Sequence, residues 1–226
     1  MSEHGVIRAV LFDIDGTLLV TGGAGGAAWQ RAFEELHRVE ADVAEHTDAG
    51  MTDPEIVKIV YREAVGREGS AEERAQAIGC YLKHLPDAVA ESPGYRVMPG
   101  IESLLPRLIE DGILLGLVTG NVEAAAHIKL ARARLNRFFS FGGYGSDSPN
   151  RTEVTEAALR RGSLVSGGEL VGDRAIAVGD TPRDVVAGHA AGIRVAGVAT
   201  GAYTVEQLSS AGADWSLESV DRGFPV

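Results

Sequence analysis

Cysteine is almost absent: Cys80 is the single one among 226 residues. No intramolecular disulfide is possible, and such sparing use of thiols suits a reducing compartment, so a cytoplasmic location is expected. Long apolar runs are missing too; none approaches the ~20 residues of a membrane span. The N-terminal stretch MSEHGVIRAVLF holds only a short apolar run that passes directly into acids, so it does not read as a secretory signal. Bases are outnumbered, with 21 Lys and Arg against 32 Asp and Glu, for a net charge of −11. That sign argues against nucleic acid and anionic membrane as partners. It leaves room for a small anionic substrate, because local charges in a cleft override the global balance. No internal repeat stands out, and the sequence sets no oligomeric state.

What is present is a composition that is 45% hydrophobic, enough for a sizeable core in one or two domains. Four short apolar runs recur with similar polar endings. Residues 7–12 end at Asp13, 113–118 at Thr119-Gly120-Asn121, 175–178 at Gly179-Asp180-Thr181, and 194–199 at Thr200-Gly201. Rich in Val, Ile and Leu and too short for helices, they read as strands buried on both faces of a parallel sheet. Helical patterns separate them: 101–111 before Gly112, 153–161 before Gly162, and 182–191 from Pro182 to Gly192. The alternation predicts an α/β core with a doubly wound, Rossmann-like parallel sheet.

Residues 21–97 break the rhythm. They show helical periodicity and no convincing strand, with Trp29, Phe33 and Leu36 near one face and Ile56, Ile59, Val60 and Val65 on another. An all-helical module, 21–97, is therefore expected as an insertion into a core formed by 1–20 and 98–226. Its connectors, 21–26 and 91–100, are rich in turn formers, and Trp29 and Phe33 read as its own core. In open α/β sheets ligands bind beyond the C-terminal ends of the strands, so all the polar endings should converge on one edge. A helical insertion at that edge can close over it as a lid.

Asp13 and Asp15 pose the sharpest question. Two carboxylates about 4 Å apart repel by ~4 kcal/mol at an effective dielectric of about 20. A cation, a shared proton or plain solvent must compensate them; the plainer alternative is a strand end followed by an Asp15-Gly16 turn. Mg²⁺ suits such a pair, since it takes one or two carboxylates plus substrate phosphate. Asp180 supplies a third acid at a strand end, with helix capping as its alternative. Asp184 reads either as the acid of a capping box begun at Thr181 or as support for the metal. Thr119-Gly120-Asn121 offers a hydroxyl and backbone amides as an anion site. A transferring phosphate also wants a fixed cation, for which Arg151 and Lys129 are the candidates.

In that order, FDIDGT, LVTGN and VGDTPRD resemble the first, second and fourth motifs of the haloacid dehalogenase-like hydrolases, in their phosphatase form with two aspartates. The similarity covers nearly the whole chain and is nearest to phosphoglycolate phosphatase-like members with a helical cap. It implies Asp13 as nucleophile, forming an aspartyl-phosphate, and Asp15 as general acid and then base. It implies Thr119 and the Gly120 amide, with Asn121 beside them, as phosphoryl ligands. Mg²⁺ would be held by Asp13, the Asp15 backbone carbonyl and Asp180, with Gly179 and Asp184 in support. The third motif departs from the family's Lys-Pro: the region reads Ser148-Pro149-Asn150-Arg151, so Arg151 is expected to replace the lysine, with Lys129 in reserve. The implied reaction is Mg²⁺-dependent hydrolysis of a small phosphorylated metabolite. A β-phosphoglucomutase-like phosphomutase is the alternative; a dehalogenase would need neither Asp15 nor Asp180. Thr52 and Asp53 are the candidate substrate contacts on the cap, but Asp53 is expected to cap the helix that begins at Pro54.

Overall fold

The computed structural model describes residues 7–226; residues 1–6 of the N-terminal stretch lie outside the described residues. The strands are β1 (Ala9–Phe12), β2 (Leu19–Val20), β3 (Arg96–Val97), β4 (Leu114–Val118), β5 (Phe141–Gly143), β6 (Gly172–Gly179), β7 (Ile193–Val198) and β8 (Trp215–Leu217). Six of them form one sheet in the order β5-β4-β1-β6-β7-β8, every pair parallel. The chain leaves β1 towards β4 and β5, then returns on the other side as β6. The reversal falls at β1, which opens the crevice where such folds bind ligands. Phe12 pairs with Leu117 on one side and Val178 on the other, so the next residues along all three strands emerge together.

The helices are α1 (Ala24–His37), α2 (Val43–His46), α3 (Asp53–Val60), α4 (Ala71–Glu91), α5 (Ile101–Glu110), α6 (Glu123–Ala131), α7 (Arg151–Ser166), α8 (Pro182–Ala190) and α9 (Val205–Ser210). None among the described residues is long and apolar enough to cross a membrane. Period-two alternation divides the core between the two faces of the sheet. Val10 and Phe12 of β1 pack with Leu104, Leu105 and Leu108 of α5. Ala9 and Leu11 point the other way, to Val154 and Ala158 of α7 and Val185 of α8.

Between β2 and β3 a second apolar cluster gathers Trp29 and Phe33 of α1, Val57 and Val60 of α3, and Tyr81 and Leu85 of α4, closed by Val122 just before α6 and Ala125 of α6. Trp29 and Tyr81 stack with centroids 4.2 Å apart. Two expectations need correction here. Residues 21–97 are not free of strand, because β3 pairs antiparallel with β2 and ties the outgoing and returning chains together. And α7 does not stop at Gly162. It runs on to Ser166 and ends at Gly167, which takes φ 67°. Gly162 serves packing instead: a Cβ there would sit 2.6 Å from the Phe141 ring and 2.7 Å from Leu170.

Candidate active site

Asp13 leaves β1 and donates its N–H to Val178 O, 2.9 Å away, which aligns it with the end of β6. Asp180 follows β6 directly. Asp184 sits in the first turn of α8, where it closes a capping box: its Oδ2 accepts from Thr181 N at 3.0 Å and Thr181 Oγ1 at 2.7 Å. The capping-box reading of Asp184 holds, and its other oxygen, Oδ1, faces Arg151 and the carboxylate cluster. Carboxylate oxygens of Asp13, Asp180 and Asp184 lie within 4.8 Å of one another, in residues only 4%, 2% and 5% exposed.

Such crowding has an electrostatic cost. Burial, with Asp13 and Asp184 adding like charge, pushes Asp180 up to about 8. Burial likewise raises Asp13 to about 6; Arg151 opposes the shift, while Asp184 and Asp15 reinforce it. One guanidinium does not neutralise three buried carboxylates, and an all-oxygen set of this kind fits a hard divalent cation such as Mg²⁺. The backbone is shaped around the cluster. Gly16, at φ 84°, makes the turn that lets Thr17 Oγ1 donate to Asp180 Oδ1 at 3.2 Å. A Cβ on Gly16 or Gly201 would overlap the Asp180 carboxylate, and one on Gly179 would overlap Asp184. Thr200 Oγ1 donates to Gly16 O at 2.6 Å and holds the turn down.

Asp13 and Asp15 do not share a compensating partner. Arg151 is the first residue of α7, behind the Asn150 N-cap. Its Nη2 lies 3.0 Å from Asp13 Oδ1 and 2.5 Å from Asp184 Oδ1. Its Nε is buried without a partner. Asp15 turns aside: its Oδ2 accepts from Lys129 Nζ at 2.6 Å and from Asn121 Nδ2 at 2.8 Å. Asn121 also donates to Thr119 Oγ1 at 2.8 Å. The two cations that the sequence ranked as alternatives are therefore both present, one for each aspartate.

The cap meets this site through residues 50–53. Gly120 O accepts from Asp53 N at 2.8 Å, and Asp53 Oδ2 accepts from Val122 N at 2.8 Å. Asp53 does not cap α3, contrary to that expectation. Thr52 is the N-cap, in a capping box with Glu55, and this frees the Asp53 carboxylate to reach the core. Burial raises Asp53 to about 6, against the pull of Lys129 and the Val122 amide. Thr52 is buried and spends its hydroxyl on Glu55 and the Pro149 carbonyl, so it does not reach the cavity.

Asp13, Asp15, Asp53, Thr119, Gly120, Asn121, Lys129 and Arg151 line one cavity of about 640 Å³, whose cap side adds Trp29, Ile56 and Tyr81. That volume suits a small metabolite. The aromatic wall and the Thr17 and Gly201 supports were not assigned to the site from sequence. Thr17 stands inside FDIDGT and Gly201 belongs to the polar ending after residues 194–199, so both carried a signal; Trp29 looked only like helix core, and Tyr81 was not singled out.

Residues 10–198 match the family model described as haloacid dehalogenase-like hydrolase. The chain is 30% identical over 214 residues to a phosphoglycolate phosphatase of Rhodospirillum rubrum, covering 91% of this chain and 85% of the relative. It is 23% identical to the pyrophosphatase PpaX of Oceanobacillus iheyensis, with 95% and 94% covered. Among solved structures, CbbY from Rhodobacter sphaeroides in complex with phosphate superposes with a TM-score of 0.76 at 20% identity, over 97% of both chains.

Proposed function

The chain belongs to the haloacid dehalogenase-like hydrolase family, and from that premise we propose that it is a Mg²⁺-dependent phosphatase of a small phosphorylated metabolite, working through an aspartyl-phosphate on Asp13. The observation that carries this reading is the separation of the two aspartates. Asp13 is buried among Arg151, Asp180 and Asp184, the surroundings of a group meant to meet a phosphoryl dianion. Asp15, with its side chain 42% exposed and facing Lys129, lies on the side of the leaving group.

Asp13 attacks phosphorus in line, and the bond from phosphorus to the alcohol oxygen breaks as Asp15 gives that oxygen its proton. Asp15, now a carboxylate, takes a proton from a water that attacks the aspartyl-phosphate. Inorganic phosphate leaves and Asp13 is restored. Thr119, the Gly120 amide and Arg151 hold the transferring oxygens; phosphoryl transfer asks chiefly for positioning and charge neutralisation. Asp13, the Asp15 carbonyl and Asp180, with Asp184 in support, would hold Mg²⁺, which would supply the positive charge that lets a carboxylate approach a dianion. Residues 21–97 act as the cap that excludes bulk water and bulky substrates. The lone, buried Cys80 suits a cytoplasmic enzyme.

The test is phosphate release from 2-phosphoglycolate, pyrophosphate, sugar phosphates and nucleoside monophosphates, with Mg²⁺ and with EDTA. Release that requires the metal and disappears in Asp13→Asn supports the proposal. Release that persists in EDTA overturns it, and isomerisation without net release assigns the mutase.

A further inference from the structure

A second set of metal-ligating side chains lies in the cap, away from the cavity. Cys80 and His84 are one helical turn apart on α4, on the same face. Glu35 of α1 reaches across to them. One ligand atom from each, Sγ, an imidazole nitrogen and a carboxylate oxygen, falls within 4.8 Å of the others. His84 Nε2 is 2.8 Å from Glu35 Oε2. Cys80 is 8% exposed, while Glu35 and His84 are open enough for an ion to enter.

We infer that Glu35, Cys80 and His84 form a binding site for a thiophilic divalent cation of the Zn²⁺ class, clamping α1 to α4. The ligand types decide the class. A sulfur, a nitrogen and an oxygen suit Zn²⁺ or Co²⁺ and are wrong for Mg²⁺, which wants oxygen alone. The cluster is therefore chemically distinct from the all-carboxylate set beneath the cavity. Three protein ligands leave the fourth tetrahedral position to water. Lys83 holds both oxygens of Glu35, Nζ to Oε1 at 2.8 Å and to Oε2 at 2.9 Å. It is largely exposed, and a surface pair of that kind gives way to a coordinated cation. Metal entry displaces the thiol proton to solvent and makes Sγ a thiolate ligand. Tyr81 follows Cys80 directly and stacks on Trp29 of α1, so the clamp would brace the aromatic wall of the cavity.

The chain's single cysteine makes the test specific. Tag-free protein, reduced with a phosphine, is titrated with Co²⁺ under excess Mg²⁺ while sulfur-to-cobalt charge-transfer absorbance is followed. Only a complex containing Cys80 produces that band; cobalt among Asp13, Asp180 and Asp184 does not. One equivalent should generate it, and Zn²⁺ should bleach it. His84→Ala and Glu35→Gln should each weaken Zn²⁺, measured against a chromophoric chelator, by more than roughly tenfold. Asp180→Asn should leave the band unchanged. Circular dichroism of each variant separates loss of the site from loss of the fold. No band in the folded wild-type chain overturns the inference. So does a band whose affinity is unchanged in both His84→Ala and Glu35→Gln, which would mean the metal sits on the thiol alone.

Discussion

The floor of the cavity and its roof are made of opposite materials. The floor packs Asp13, Asp180 and Asp184 around one guanidinium, with two of the carboxyls pushed far above their ordinary range. The part of the roof built by α1, α3 and α4 is aromatic and aliphatic, with Trp29 stacked on Tyr81 and Ile56 also lining it. The roof gains stability from every contact it makes, whereas the floor gives stability up. Buried charges of one sign cost stability unless something compensates them, so the strain points to a ligand site. The same contrast separates Asp13 from Asp15, which lie two residues apart. One belongs to the strained floor, and the other turns to a lysine of its own.

The most severe way to break this comparison is to remove the nucleophile. Asp13→Asn should reduce turnover by more than roughly 10³-fold, on the scale of other lost nucleophiles, while circular dichroism stays native. A near-normal rate would reassign the nucleophile. Arg151→Ala should follow, with a loss of roughly 10²-fold in kcat, typical of a removed transition-state charge. Lys129→Ala should cost less, because its charge faces Asp15. Steady-state kinetics of the pair decide it; the reverse order would hand the phosphate role to Lys129.

The floor also predicts a gain on mutation. Asp180 is raised from 3.8 to about 8 in the folded chain. Its folded value thus exceeds its unfolded one, so its ionisation opposes folding. That penalty is absent well below pH 4 and grows as pH rises towards 8. Asp180→Asn keeps the shape without the charge. Melting in EDTA at pH 8 should show the variant more stable by about 1–3 kcal/mol, with the gap narrowing as pH falls. Its activity should meanwhile demand much more Mg²⁺. An equal or lower melting temperature would mean that the cluster is already compensated without metal.

The floor was far more legible than the roof. Asp13, Thr119 and Asp180 each end an apolar run, and a parallel sheet brings such ends together whatever its exact register. Three-residue edge strands such as β5 and β8 left no comparable signal. Phe-Gly-Gly becomes a strand only because β4 and α7 accept it there: a Cβ on Gly143 would overlap the Val154 carbonyl. Gly162 misled for the same reason, a packing requirement read as a helix stop. On the roof, helical periodicity correctly marks Trp29 as buried. It is silent on whether a buried face also borders a cavity, because that depends on where the cap comes to rest on the core.

Asp53 is where floor and roof touch, and it carries the smallest expected effect. Its carboxylate accepts the Val122 amide, and its own amide reaches Gly120 O. Asp53→Asn keeps an acceptor oxygen and removes a buried charge whose value is raised to about 6, so at neutral pH stability should hold or rise, by less than for Asp180→Asn. Asp53→Ala leaves the Val122 N–H without its partner, at a cost of about 1–3 kcal/mol if the amide stays buried. Denaturant melts separate the two variants. The kinetics then show which half of the comparison Asp53 belongs to. If its role is to hold the cap against the core, Ala should raise KM and Asn should spare it. If its charge meets the substrate, Asn should be as damaging as Ala, and the roof would share in the chemistry of the floor.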